Sequence, residues 1–133
     1  MKQFSATLSI LFMLVVLSCE SSTVTGSEDV IVIQNVSISL DSTYVFGNEF
    51  RANGTITNNS NSNIIPIWYL EGSFFRDANS SFKMGGENTS FTFSLAPDQT
   101  TGWELRFNDS QYPASNYPDF SVGELRAYRY ESD

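Results

Sequence analysis

The chain has 133 residues, a formal net charge of −8, a single cysteine and no histidine. Without histidine, and with one thiol only, the common zinc sites, serine-histidine triads and cysteine-histidine nucleophile pairs are closed, and no cofactor is expected. An acidic chain is also a poor partner for nucleic acid, because affinity there rests on Lys and Arg neutralising phosphates.

The first element is the apolar run from Leu8 to Leu17, preceded by Lys2 as its one charge. That is the charge pattern of a secretory signal, and the run is too short for a bilayer core that needs roughly 20 apolar residues. It ends in Val16-Leu17-Ser18-Cys19, which resembles the lipobox of bacterial lipoproteins, although a small residue more often stands in place of Leu17. The resemblance implies that residues 1–18 are a lipoprotein signal peptide, that the Cys19 thiol receives a diacylglycerol, and that cleavage falls just before it. The competing reading is an ordinary signal peptide cut a few residues later, with a freely secreted product. Removing residues 1–18 takes Lys2 away and leaves six basic against 15 acidic residues, a net charge of −9. Attachment to a membrane would therefore come from acyl chains on Cys19 and not from charge. Residues 19–28, rich in Ser, Thr and Gly, read as a flexible tether.

From residue 29 to residue 133 the pattern is that of one all-β domain. Val30, Val32, Val36, Ile38 and Leu40 share a parity, which predicts a first strand over 29–40. Phe50, Ala52, Gly54 and Ile56 alternate with polar residues in the clearest half-buried strand. The run from Asn58 to Asn63 reads as a turn. A mostly apolar stretch from Ile64 to Phe75 follows, with Pro66 expected at the strand's start or on an edge because proline cannot donate to a ladder. Gly85-Gly86 reads as punctuation. Phe91, Phe93 and Leu95 then alternate, Ala96 to Gln99 turns the chain, and Trp103, Leu105 and Phe107 alternate again. A loop from Asn108 to Asp119 leads to a last strand from Phe120 to Tyr130. About seven short strands in a hundred residues predict an antiparallel β-sandwich. Ile56, Trp68, Phe93, Trp103 and Leu105 are its expected core.

Three stretches carry a family resemblance. Gly54-Thr55-Ile56-Thr57-Asn58-Asn59-Ser60, Phe74-Phe75-Arg76-Asp77 and Leu95-Ala96-Pro97-Asp98-Gln99-Thr100 are similar to turn and strand-end motifs of FxLYD-type and related immunoglobulin-like domains of secreted and lipid-anchored bacterial proteins. The chain departs from them at Asp98, where the family tends to have Gly. The resemblance implies an immunoglobulin-like fold and a small non-catalytic extracytoplasmic module.

Binding candidates are few. Tyr112 and Tyr117, each followed by proline in the Asn108–Asp119 loop, have the composition of a stiff recognition loop; the alternative is that they fold back over the core. The loop is expected at the same end of the sandwich as the Asn58–Asn63 turn. Tyr128 and Tyr130, with Trp68 or Tyr69, are candidates for a sugar-binding platform, against a reading of core packing for Trp68 and edge-strand packing for the tyrosines. The expected function is a lipid-anchored, non-catalytic module of the bacterial cell envelope, extracytoplasmic and held at the outer membrane, for protein interaction or structural support. A carbohydrate-binding accessory domain is the alternative, and a hydrolase with two facing carboxylates a third. The partner, an envelope protein or a glycan, and the oligomeric state are left open.

Overall fold

Period-two alternation becomes strand where one face can be buried, as in the third of the seven strands among the described residues, where burial alternates from Glu49 to Asn58. The structure is a computed structural model that describes residues 29–131; the expected signal peptide, Cys19 and the tether lie outside the described residues. The strands are β1 (Val30–Val32), β2 (Val36–Phe46), β3 (Glu49–Asn58), β4 (Trp68–Phe75), β5 (Lys83–Phe91), β6 (Thr100–Phe107) and β7 (Ser121–Tyr130). They form a four-stranded sheet, β1-β7-β4-β5, and a three-stranded sheet, β2-β3-β6. Every pairing is antiparallel. The arrangement is an immunoglobulin-like sandwich in which β2, β3 and β6 stand as strands A, B and E and β4, β5 and β7 as C, C′ and F. Short β1 occupies the place of strand G beside β7.

The core lies between the sheets and is largely aromatic. Trp68 and Phe91 stack with ring centroids 3.9 Å apart. Phe50, fully buried, meets Phe120 edge-on at 4.9 Å and Phe107 at 5.9 Å. Such pairs add about 0.5–1.5 kcal/mol each beyond the area they bury. The described residues hold no cysteine, so packing takes the part that an inter-sheet disulfide plays in antibody domains. Of the five expected core residues, Ile56, Trp68, Trp103 and Leu105 are buried, whereas Phe93 is 47% exposed. The reason is that β5 ends at Phe91. The Phe93 carbonyl accepts a hydrogen bond from Trp68 Nε1 at 2.9 Å, which holds the backbone against the core and leaves the ring outside.

Four further expectations are corrected. The predicted strand over 29–40 is two strands in different sheets, because Asn35 adopts φ 60° and turns the chain from one sheet to the other. β2 then continues to Phe46 through a register shift between Leu40 and Ser42. Gly85 and Gly86 lie inside β5 rather than ending a segment. A Cβ on Gly85 would sit 2.7 Å from the Phe107 ring, so the glycine makes room for an aromatic of the facing sheet. Tyr128 and Tyr130 belong to β7, which has β1 on one side and β4 on the other and is not an edge. The stretch expected from Ile64 is strand only from Trp68, and Pro66 lies just ahead of it.

The turn motifs have physical causes. Asn58 is fully buried; its Nδ2 donates to the Leu95 and Ser62 carbonyls, both at 2.8 Å. Its Oδ1 accepts from Ser60 N at 3.0 Å and Ser60 Oγ at 2.7 Å. In the Ala96–Gln99 turn Gln99 N donates to the Ala96 carbonyl at 3.0 Å and Asp98 has φ 66°. This left-handed position follows proline and is the one where glycine is usual. Gly54 leaves no space at all, since a Cβ there would stand 1.8 Å from the Ser39 carbonyl oxygen and 2.8 Å from Trp103.

Gly54→Ala is therefore expected to cost about 3 kcal/mol or more through overpacking against backbone. Gly102→Ala is the matched control, because the nearest atom to its Cβ would be 3.7 Å away; it should stay within about 0.5 kcal/mol of the parent. Urea unfolding of the two variants checks both.

Candidate functional site

Strand direction decides which loops meet. β6 begins at Thr100 opposite Thr57 and ends at Phe107 opposite Phe50, so the Asn108–Asp119 loop leaves at the β2–β3 hairpin end. The Asn58–Asn63 turn is at the other end. The two were expected together; they are apart because β3 and β6 are antiparallel neighbours, and the chain leaves them in opposite directions. β7 carries the chain back, with Tyr130 opposite Val30. The point where residue 29 enters is thus at the Asn58–Asn63 end, and the tyrosine loop is at the far end, about 30 Å away along β7.

The tyrosine loop is folded over that far end. Asp109 closes a turn by accepting from Gln111 N at 2.8 Å, and its carbonyl accepts from Tyr112 N at 2.9 Å. A short 3₁₀ turn, Ala114–Asn116, follows Pro113 and buries Ala114 completely. Tyr117 packs on Phe50 at 6.3 Å and on Tyr112 at 6.1 Å, and Tyr112 meets Phe82 at 6.0 Å. Both tyrosines are half-buried against the core. The loop brings Tyr112 and Tyr117 together, with part of each ring left at the surface.

On the outer face of the four-stranded sheet Tyr69 and Tyr128 stack at 5.2 Å, and Tyr130 meets Tyr128 edge-on at 5.8 Å. This is no open platform: Tyr128 is fully buried, and Trp68 is in the core. The Tyr128 hydroxyl accepts from Asn88 Nδ2 at 3.0 Å, and burial pushes its pKa well above the ordinary phenol range. Beside it Glu71 is 3% exposed and pairs with Arg126 through Oε2, while Oε1 is buried without a hydrogen-bond partner.

The outer face of the three-stranded sheet carries a group that sequence reading missed. Tyr44 and Phe46 alternate on β2 and are 38% and 60% exposed. The Arg51 guanidinium lies 4.4 Å from the Phe46 ring centroid and binds Glu49 at 2.7 Å. The hydrogen bond that Arg51 donates to Glu49 leads in raising the Arg51 pKa. Further along the same face Ser42 Oγ donates to Asn53 Oδ1 at 2.9 Å, and the Ser39 and Thr55 hydroxyls meet at 2.7 Å. The signal was present in the sequence: Gly47-Asn48 between alternating residues is a hairpin turn.

Carboxylates are engaged singly. Asp77 organises its own turn, and the hydrogen bonds it accepts from the Ser81 hydroxyl and backbone lower its pKa. Glu124 binds Lys83 and accepts from Ser73 Oγ, both at 2.6 Å, and these contacts lower its pKa. Glu87 and Glu104 both line a groove of about 520 Å³ between β5 and β6. There Glu87 accepts from Asn88 N at 3.0 Å and Glu104 pairs with Arg106 at 2.7 Å. Among the described residues, no three carboxylates converge as metal ligands. No family model, curated protein or solved structure matches the chain.

Because the folded-state pKa of Glu124 is depressed, the stability it contributes is present above the ordinary carboxylate range and is lost as pH falls through the lowered value. In thermal melts on an acid series, the difference between wild type and Glu124→Gln should be constant near neutrality and shrink toward zero at the acid end. A difference independent of pH would contradict this assignment.

Proposed function

We propose that the chain is a lipid-anchored, non-catalytic interaction or structural module of the bacterial cell envelope, extracytoplasmic and attached at the outer membrane through acyl chains on Cys19. Its sandwich is of the FxLYD type. The observation that carries this reading is the order Val16-Leu17-Ser18-Cys19, nine residues rich in Ser and Thr, and then a sandwich entered at one end. The tether end and the Tyr112–Tyr117 end are opposite, so an anchored domain would present the tyrosine loop away from its attachment. An envelope protein is the partner that a loop of this composition suits.

A second reading is favoured by one observation. Tyr44 and Phe46 are exposed on one face beside hydroxyl and amide side chains, which is what stacking on a sugar requires. A glycan array with wild type and Phe46→Ala tests it: binding that depends on Phe46 would establish the carbohydrate reading over the protein-interaction one.

Cys19→Ser should move the mature protein from the detergent phase to the aqueous phase on Triton X-114 partition. Identical partition of variant and wild type would refute the lipoprotein reading.

Tyr112→Ala with Tyr117→Ala should reduce capture of an envelope partner per folded molecule, and should also lower the melting temperature, because Tyr117 packs on Phe50. Unchanged capture per folded molecule would leave the pair as a cover for the core.

A further inference from the structure

The segment joining β3 to β4 ends in an apolar sequence that the fold does not bury. Ile64 is held inward by a two-way bridge with Leu95, its N donating at 2.9 Å and its carbonyl accepting at 3.0 Å. Beyond it Ile65 and Ile67 are 59% and 55% exposed, on either side of Pro66. Ile31, Val32 and Tyr130 are exposed as well, and the five residues share the lining of one groove of about 550 Å³. Proline limits the backbone between the two isoleucines, so their exposure is set by the fold. Gln34, Asn35, Ser60, Ser62 and Asn63 line the rest of the groove, and exposed apolar side chains gathered beside polar ones in this way mark a contact.

Its position says with what. Val30 opens β1 opposite Tyr130, so residue 29 enters the domain at the groove itself. Only nine residues, Glu20 to Glu28, separate the proposed acyl site from it, a reach of about 35 Å at most over the ten steps from Cys19 to Asp29. We infer that this apolar rim is a second membrane contact, in which Ile65 and Ile67 enter the headgroup region of the bilayer that holds the acyl chains. Tyr130 then sits at the depth that interfacial tyrosines favour, and Arg129, which also lines the groove, extends its guanidinium to lipid phosphate. The inference rests on the anchored reading of Cys19. The diacylglycerol on Cys19 supplies the attachment through its two acyl chains, and the short tether keeps the rim at a high effective concentration at the surface, so the rim orients the domain. A net charge of −9 after signal removal makes zwitterionic lipid the matching surface, since anionic lipid would repel the domain. Strand addition by a peptide is disfavoured because the outer strand here, β1, has three residues.

The test supplies the anchor artificially, so that it reads the rim whether or not Cys19 is acylated. The chain from Ser21 onward contains the whole described core. With an N-terminal hexahistidine tag it is held on phosphatidylcholine vesicles bearing a nickel-chelating lipid. Without Cys19, Ile67→Cys or Phe46→Cys gives the only thiol for an environment-sensitive dye. Nitroxide-labelled phosphatidylcholine should quench the dye at position 67 by about twofold or more and leave the dye at position 46, at the far end, almost unchanged. Adding Ile65→Asp should abolish the quenching at 67. Equal quenching at both positions, or none at 67, overturns the inference. So does a concentration-dependent dimer in sedimentation that Ile65→Asp dissolves, which would assign the rim to a second copy. Failure of the Triton X-114 partition with success here would remove the acyl anchor and keep the lipid contact.

Discussion

One side chain ties together the end of the sandwich on which the rest depends. Asn58 has two amide protons and two carbonyl lone pairs, and all four are used inside the protein by Ser60, Ser62 and Leu95. Its backbone is used as well: Asn58 N donates to the Gln99 carbonyl at 2.9 Å, and its own carbonyl accepts from Asp98 N at 2.7 Å. A buried amide is costly unless every polar atom is paired. Here the pairing locks the start of the β3–β4 segment to the β5–β6 turn, which belong to different crossings between the sheets. The Ile64–Leu95 bridge and the placement of Trp68 under Phe93 both follow from that lock. The exposure of Ile65 and Ile67 is its consequence too, because the backbone before them cannot rotate to hide them.

Away from that end the sheets are held by shape. With no cysteine in the described residues, large rings fill the space, and glycines are used where a ring or branched side chain comes too close for a Cβ. Gly85 lies under Phe107, and Gly72 would place a Cβ 2.8 Å from Leu125 and 2.9 Å from Leu105. Interiors close-packed in this way tolerate little change in volume. The outer faces mix aromatic with polar side chains, and they hold their charges in local pairs such as Arg51 with Glu49 and Arg106 with Glu104. These two arginines stand directly opposite one another. Like charges so placed repel, and each is offset by a glutamate on its own strand.

The strands that sequence reading located best are those with one buried face and an uninterrupted pattern. In β3 burial alternates without a break from Glu49 to Asn58, and in β6 Trp103, Leu105 and Phe107 turn inward as their spacing indicates. What it missed was set by backbone geometry that composition does not reveal. A positive φ at Asn35 divides a valine-rich run between two sheets. The register shift after Leu40 reverses the parity of β2, which hides the outward pair Tyr44 and Phe46. Phe93 continues the alternation of Phe91 past the end of its strand, because the pattern carries no sign of the tryptophan that takes its carbonyl. The candidate site was legible only as the tyrosine loop, and there the direction of β6 moved it to the opposite end from the one expected.

That reversal changes what the molecule can present. A sandwich entered at one end and carrying its longest loop at the other has a natural polarity, because the β-strands between act as a spacer of about 30 Å. The two ends also differ chemically. The far end is closed by Tyr112, Tyr117, Ala114 and Phe120, which turn toward the core and leave partial ring surface outside. The near end turns Ile65, Ile67 and Tyr130 outward, although burying isoleucine is favourable by about 1.5–3 kcal/mol per side chain. The lock at Asn58 imposes that exposure at the cost of the lost burial, whereas Ile64, one residue earlier, is buried. In the membrane contact we infer, an outside phase that takes up those side chains would offset that cost, and it would be met at the end where residue 29 enters.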